Sequence, residues 1–283
     1  MKDPFKEIYK RCNSITNITS IFPRVIDVEL TNACNLQCDF CPTGTRVSSR
    51  KVGLMSERTF YKILIDTEAH RTPIRFVRWG EPFIHPFAVK YMGVTKRMQR
   101  LVHVNTNGMA IDGDAINDLI HIGIDSIKFS HQTPYSRRIG GDEEVLKGMV
   151  QYTFEQRGKR KKPFITLGTT YDASYKEEAE TLRKEMSRYC DKFTMSPTRD
   201  IIQPPTCYGT DRKCPEVFSK LSVNWNGDVT MCCADWNDYM VIGNVNDKSI
   251  AELWKCEAAL FYRSMIATGR WNELDLCRGC KGV

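Results

Sequence analysis

Residues 25–41 read VIDVELTNACNLQCDFC. The stretch opens as a strand over Val25–Leu30, with Asp27 and Glu29 sharing one face and apolar residues such as Val28 between them. It runs directly into a loop that spaces three cysteines as Cys34-x3-Cys38-x2-Cys41. Three thiolates on one short loop can hold three irons of a [4Fe–4S] cube and leave the fourth iron free to bind something else. A zinc site takes four ligands in paired spacings, so three cysteines with no nearby histidine fit zinc poorly.

Outward from this stretch, strand-like runs alternate with helical ones. Strands are expected at Val25–Leu30, Ile74–Trp79, Leu101–Asn105, Ser126–Ser130, Phe164–Thr170 and Lys192–Ser196, and helices at Ser56–Glu68, Pro86–Arg97, Asp114–Ile122, Glu143–Gln156 and Lys176–Tyr189. Strand, helix, strand at this spacing argues for parallel βα units. Six units are too few to close an eight-stranded barrel, so the expected fold is α/β, an open partial (β/α)6 barrel. One face of each strand must pack on helices, and the other faces the lumen. His103 and Asn105, Lys128 and Ser130, and Thr166 and Thr170 fall with Asp27 on the second face. A polar lumen suits a small polar ligand better than a lipid.

After Ile201 the pattern changes. Gln203-Pro204-Pro205 breaks the chain. Leu221–Trp225 and Val229–Cys233 flank Asn226-Gly227 as a β-hairpin. Ser249–Thr268 reads as one helix with Ser249 as its N-cap. The expected organisation is an N-terminal extension (residues 1–21), a barrel (22–205) and a small hairpin-plus-helix domain (206–283).

Composition bounds the rest. The chain has 283 residues, 41% apolar and 27% charged, as in an ordinary globular protein of one large and one small domain. No apolar run reaches the roughly 18 residues of a membrane span. The charged N-terminus lacks an apolar export segment, so a cytoplasmic location is expected. The net charge of +7 is mildly basic. Its densest run, Arg157–Lys162 (RGKRKK), reads as a solvated loop, and no broad basic patch with interleaved aromatics argues for nucleic acid. Twelve cysteines without an export signal read as metal or cluster ligation rather than disulfides.

The run Thr31 to Cys41 resembles the signature loop of radical S-adenosylmethionine (SAM) enzymes, and further features of that family follow in order. Gly80-Glu81-Pro82 closes the second strand, as in the glycine-rich motif that binds the methionine amino group. Trp79 stands where a glycine is common, a departure that would tighten the pocket. Asn105-Thr106-Asn107-Gly108 closes the third strand, similar to the ribose-contacting segment, and Ser130 ends the fourth, where a polar SAM contact is often placed. The resemblance implies a SAM-binding cluster on Cys34, Cys38 and Cys41, with cofactor contacts from Phe40, Gly80, Glu81, Pro82, Asn105, Asn107 and Ser130. Arg137 and Arg138 are natural bidentate partners for the SAM carboxylate, Arg138 the preferred one; equally, they begin an exposed loop.

Cys214-x12-Gly227-x4-Cys232, followed by Cys277-x2-Cys280, matches the SPASM/Twitch auxiliary-cluster domains, in the shorter Twitch form with one further [4Fe–4S] cluster. Four thiolates would saturate that cluster, leaving electron transfer as its job. A structural zinc is the alternative, and Cys233 is the nearest competitor to Cys232.

The resemblance then points to aminocyclitol and sugar dehydrogenases: a radical hydrogen abstraction from a small polar substrate, with the auxiliary cluster as electron acceptor and a one-electron donor such as flavodoxin or ferredoxin. His131 is a candidate base for the hydroxyl proton. A radical epimerase would instead need a thiol donor, Cys207 or Cys233. A peptide maturase would use the same two clusters. A non-catalytic cysteine-rich metal-binding protein would leave Glu81 and Asn105–Gly108 at successive strand ends without explanation.

Overall fold

The computed structural model describes residues 1–13, 20–198, 214–278 and 280. Six strands follow in chain order: β1 (Val25–Val28), β2 (Ile74–Phe76), β3 (Val102–Thr106), β4 (Ser126–Thr133), β5 (Phe164–Tyr171) and β6 (Lys192–Pro197). Each lies parallel to the next. Helix α1 (Lys6–Asn13) precedes them; α2 (Glu57–Asp66), α3 (Ala88–Arg97), α4 (Gly113–Ile122), α5 (Glu143–Arg157) and α6 (Lys176–Met186) cover the outer face. Helices α2, α4 and α5 start where a short polar side chain satisfies a free amide. Ser56 accepts from Thr59 N at 3.1 Å, and Asp112 from Ala115 N at 2.8 Å. The inner face of α2 buries Phe60, Ile63 and Leu64, about 1.5–3 kcal/mol each for full burial.

The sheet is curved rather than flat. One cavity touches Asp27 on β1, Arg75 on β2, His103 on β3, Lys128 on β4, Thr166 on β5 and Lys192 on β6. It does not close: β6 is an edge, and β1 takes its other neighbour from far along the chain. That neighbour is β7 (Lys220–Val223), parallel to β1, followed by the antiparallel β8 (Asp228–Thr230) and β9 (Val241–Asn244). The expected hairpin is therefore present, but it is no separate layer; it prolongs the partial barrel into one nine-stranded sheet. Gly227 sits in its turn at φ +93°, a conformation glycine adopts without penalty. The expected boundary at 205/206 and Cys207 lie outside the described residues.

The single helix expected over Ser249–Thr268 is two, separated at Cys256. After the short α7 (Glu216–Ser219), α8 (Ile250–Lys255) begins with Ser249 in a reciprocal capping box with Glu252, and α9 (Glu257–Ala267) follows. Cys256 is extended, with ψ 161°, and its thiol donates to the Ile242 carbonyl at 3.6 Å. The break turns Leu253 and Trp254 on one side, and Ala259 and Met265 on the other, into the interior. Among the described residues, no helix is long and apolar enough to cross a membrane.

Helix α1, which the sequence pattern left as an extension, lies against the N-terminal ends of the strands. Phe5 is 1% exposed and meets the His103 ring edge-on at 5.6 Å. Tyr9 accepts a hydrogen bond from Arg75 Nη1 at 3.2 Å.

Candidate active site

The cysteine loop is held at the C-terminal ends of the strands by backbone contact. Gly80 lets it approach: a Cβ there would lie 2.1 Å from the Thr31 carbonyl oxygen, so no larger residue fits. Glu81 N donates to Ala33 O at 2.9 Å. A two-residue antiparallel ladder pairs Gln37 with Ile139 and Cys38 with Arg138.

The thiols are close enough to repel one another. Burial pushes Cys34 up to about 11, helped by the charges of Glu81, Cys38 and Cys41 and opposed by the Leu36 amide. Burial also raises Cys38, and the Arg138 guanidinium bonded to it lowers it. Leu36 N donates to Cys34 Sγ at 3.5 Å, and Asn107 Nδ2 approaches the same sulfur at 3.7 Å. The second group repeats the turn. Ala234 N donates to Cys232 Sγ at 3.4 Å, and the Glu216 amide bonds Cys214. Burial raises Cys214 to about 11, with Cys280 and Cys233 as further like-charged neighbours. Cys232 is raised most by its hydrogen bond with the Cys233 thiol. Cys280 N donates to Cys277 O at 3.1 Å within the final pair.

These donors suit cluster thiolates. Each of three cysteines accepts the amide two residues ahead, leaving sulfur orbitals for a metal. Among the described residues, no three metal-ligating side chains converge on one ion. A mononuclear zinc takes its ligands on one ion, whereas a cube takes one thiolate at each of several irons.

Glu81 is 2% exposed. Its Oε1 accepts from Thr106 Oγ1 at 2.9 Å and Phe83 N at 3.2 Å, and its Oε2 from Asn107 N at 2.7 Å. Burial raises it to about 7, against the pull of those three donors. The carboxylate thus braces one strand end against the next, beneath the cysteine loop. Pro82 begins the single 3-10 turn that Glu81 caps. Asn107 also donates to Asn35 Oδ1 at 2.8 Å, tying the third strand end to the cysteine loop. Phe40 is half-buried on that loop.

Arg138 is 6% exposed, beside Cys38, and donates to the Ser130 carbonyl. Its Nε, the Tyr135 hydroxyl and Gln132 Oε1 are buried without partners. Three orphaned polar atoms at one strand end fit a polar ligand that is bound there. Arg137, by contrast, is spent on Asp39 at 2.7 Å and Asp172 at 3.0 Å.

His131 does not face the lumen, which corrects its reading as the candidate base. On β4 the lumen side belongs to Ser126 and Lys128; His131 falls on the alternate, outer face. There it is 4% exposed between Thr169 Oγ1 at 3.0 Å and Glu143 Oε1 at 3.2 Å, and burial lowers its affinity for a proton. Facing the lumen is His103, whose Nε2 donates to Asn105 Oδ1 at 2.7 Å and whose Nδ1 meets the Ser126 hydroxyl. Burial, then the nearby Arg75 charge, drops it to about 3, so it is neutral. Asn105 is thereby committed to the lumen wall.

The lumen holds about 390 Å³ and reaches from Phe5 and Tyr9 at the floor to Val77, Arg78 and Cys233 above. Glu29 does not line it; Arg50 takes both its oxygens, at 2.5 and 3.0 Å. Motif reading missed the two arginines on β2 and just beyond it. Arg75 forks onto Asp27 with both contacts at 2.5 Å. Arg78 forks onto the second cysteine group: Nη1 donates to Cys232 O at 2.9 Å and Cys233 O at 3.2 Å, Nη2 to Asn224 Oδ1 and Asp235 O at 2.9 Å each. Trp79 Nε1 adds a bond to Asp235 O at 3.0 Å. Trp79 thus ties the barrel to the C-terminal segment. Their only sequence signal is charge on an otherwise apolar strand. Two of the five cations in the run Arg157–Lys162 are paired, Arg157 with Asp191 and Lys162 with Asp125, while Lys159, Arg160 and Lys161 are exposed.

Comparison with known proteins agrees with this arrangement. Residues 28–160 match the radical SAM superfamily, and residues 214–281 match an iron–sulfur cluster-binding domain. The S-adenosyl-L-methionine-dependent 2-deoxy-scyllo-inosamine dehydrogenase of Niallia circulans is 22% identical over 266 residues, covering 92% of this chain and 93% of the relative. The tungsten-containing aldehyde ferredoxin oxidoreductase cofactor-modifying protein of Pyrococcus furiosus is 23% identical over 294 residues, 83% and 82% of the two chains. The crystal structure of BtrN in complex with AdoMet and 2-DOIA superposes with a TM-score of 0.68 at 20% identity, over 94% of this chain and 95% of that one.

Proposed function

We propose that the chain is a radical SAM oxidoreductase with a C-terminal iron–sulfur cluster-binding domain, and that it oxidises an alcohol on a small polar substrate held in the lumen, as a cytoplasmic enzyme reduced by a flavodoxin- or ferredoxin-type donor. We take residues 22–205 as the barrel, 206–283 as the cluster domain, and Cys34, Cys38 and Cys41 with Cys214, Cys232, Cys277 and Cys280 as the ligands. Cys34, Cys38 and Cys41 would hold a cluster that would supply the electron for reductive cleavage of SAM, and Cys214, Cys232, Cys277 and Cys280 would hold one that would supply an acceptor for an electron from the substrate.

The protein's own residues set the stage. The Leu36 amide and Asn107 stabilise a thiolate at Cys34, and Arg138 does so at Cys38. Glu81 fixes the strand ends around the SAM position, and Arg138 Nε and Tyr135 OH remain to bind its polar groups. Asn105, Ser126, Lys128, Thr166 and Thr194 offer the substrate hydroxyls their hydrogen bonds, while α1 closes the floor against water.

One observation carries the reading: consecutive residues serve both cysteine groups, Arg78 and Trp79 gripping the second and Gly80 and Glu81 seating the first. The test is iron, sulfide and zinc analysis after anaerobic reconstitution, with 5′-deoxyadenosine measured under dithionite. About eight irons per chain and SAM cleavage are expected. About four irons plus one zinc would remove the electron acceptor and sink the dehydrogenase, and no iron with no cleavage would overturn the whole assignment.

A second reading has its own support, because Cys233 lines the lumen. A thiol there could give a hydrogen atom to the opposite face of a substrate radical, giving epimerisation and leaving a thiyl radical that one proton and one electron from the flavodoxin- or ferredoxin-type donor would return to the thiol. Product formed in deuterium oxide separates the two: incorporated deuterium that disappears in Cys233→Ala supports the epimerase, and a carbonyl product without deuterium supports the dehydrogenase.

A further inference from the structure

Two lysines in the lumen have no counter-charge. Lys128 projects from the middle of β4 into the cavity, its stem lying over Gly168, where a Cβ would come within 2.5 Å of Lys128 Cε. Lys192 enters from the start of β6. Among the described residues neither forms an ion pair or donates a hydrogen bond. Of the carboxylates bordering the cavity, Asp27 holds Arg75 with both oxygens, and Asp3, one oxygen on its own loop's Phe5 amide at 2.9 Å, pairs with neither lysine. His103 is neutral, and Arg78 is committed to carbonyls. The charges felt by Lys128 are cationic: Lys192 and Arg75, which together with burial depress its proton affinity.

A half-buried ammonium beside other cations, with its nitrogen open to a cavity, is unfavourable unless something negative enters. An ammonium-bearing substrate would deepen the repulsion. We propose that the lumen selects a substrate carrying an oxyanion, a phosphorylated or carboxylated polyol, which Lys128 and Lys192 bind through that group. This rests on the reading that the substrate occupies the lumen, and it departs from the amine-bearing compound named for the Niallia circulans relative. Lys128 is the principal contact, because it is the deeper of the two; Lys192 is exposed and contributes less.

The test is calorimetric binding to the reconstituted holoenzyme with SAM, using myo-inositol 1-phosphate, D-glucuronate, myo-inositol and 2-deoxy-scyllo-inosamine as probes. At least one anionic probe is expected to bind about tenfold tighter than both others, about 1.4 kcal/mol. The phosphate and uronate arms identify which oxyanion is preferred. Lys128→Met should erase that preference, and Lys192→Gln, an exposed change that spares the core, should reduce it about threefold. Equal or tighter binding of the neutral or amine probe, or an anion preference unchanged in both variants, would overturn the proposal. SAM cleavage by the unmodified enzyme is measured alongside. Cleavage together with amine preference removes only the oxyanion inference, whereas absence of cleavage removes the function beneath it.

Discussion

Arg78→Ala tests whether the two cysteine groups are mechanically joined. The guanidinium makes four close bonds to the C-terminal segment, but their loss is not uniform. Cys232 O keeps the Thr230 hydroxyl at 3.3 Å and the Asp235 amide at 3.2 Å, and Asp235 O keeps the Trp79 indole. Of the three carbonyls, only Cys233 O has no other bond among the described residues. The change also strands Oδ1 of the fully buried Asn224, and two stranded acceptors cost about 1–3 kcal/mol each. The sum, about 2–6 kcal/mol, would lower the melting temperature by about 3–10 °C in a chain of this size. Arg78 also stands at φ +139°, which alanine inherits. Arg78→Gly should therefore recover about 1–2 kcal/mol of the loss. Guanidinium titrations of Arg78→Ala, Trp79→Phe and the double variant give the decisive number. Each single change leaves Asp235 O one donor, and the double leaves none, so the double should exceed the sum by about 1 kcal/mol. Additivity within about 0.3–0.5 kcal/mol would refute the shared-acceptor reasoning. Iron analysis of Arg78→Ala should show loss from the second site first.

Three more outcomes follow from the geometry. Asp27→Asn leaves Arg75 charged and unpaired inside the barrel and should destabilise by about 3–5 kcal/mol, while Asp27→Leu with Arg75→Met should regain most of it; denaturant midpoints decide. Ser249→Ala removes the capping box of α8 and should cost about 1 kcal/mol by thermal melting, with no change in SAM cleavage. His103 binds its proton only near pH 3 when folded but near 6.5 when unfolded, so the unfolded chain takes up more protons between those values and stability must fall as pH falls below 6.5. At pH 5 the loss is about 2 kcal/mol relative to pH 7, and a His103→Asn variant titrated in parallel should lack that component.

What the sequence made legible was local. The six parallel strands lie where β-branched runs put them, since alternation needs only neighbouring residues. The same alternation assigns eight polar residues to the lumen side, of which Asp27, His103, Asn105, Lys128 and Thr166 line the cavity and Glu29, Ser130 and Thr170 do not. His131 is a candidate base on its titration range alone, and the alternation rule, applied to it, puts it with Phe129 on the outer face. Partnerships across the chain were not legible. Nothing near Glu29 announces Arg50, and nothing near Arg78 announces the carbonyls of Cys232 and Cys233. The break at Cys256 was hidden too, because a free thiol bonding to the Ile242 carbonyl overrides a continuous helical pattern through tertiary contact. Helix α1 looked like an appendage because Phe5 and Tyr9 find His103 and Arg75 only once the sheet has curved.

The pairing of Val25 with Lys220 has a consequence for how the protein is made. On the ribosome, the strand that covers the edge of β1 leaves the exit tunnel 195 residues after β1 itself (220 − 25). At about 5–20 residues per second that interval is about 10–40 s. Throughout it, a strand of apolar residues followed by three reactive cysteines presents an open hydrogen-bonding edge. Nascent chains are thus most vulnerable to sticking and thiol oxidation before β7 arrives, and growth in low oxygen with slowed translation and chaperone supply should raise soluble yield more than any change at the mature surface.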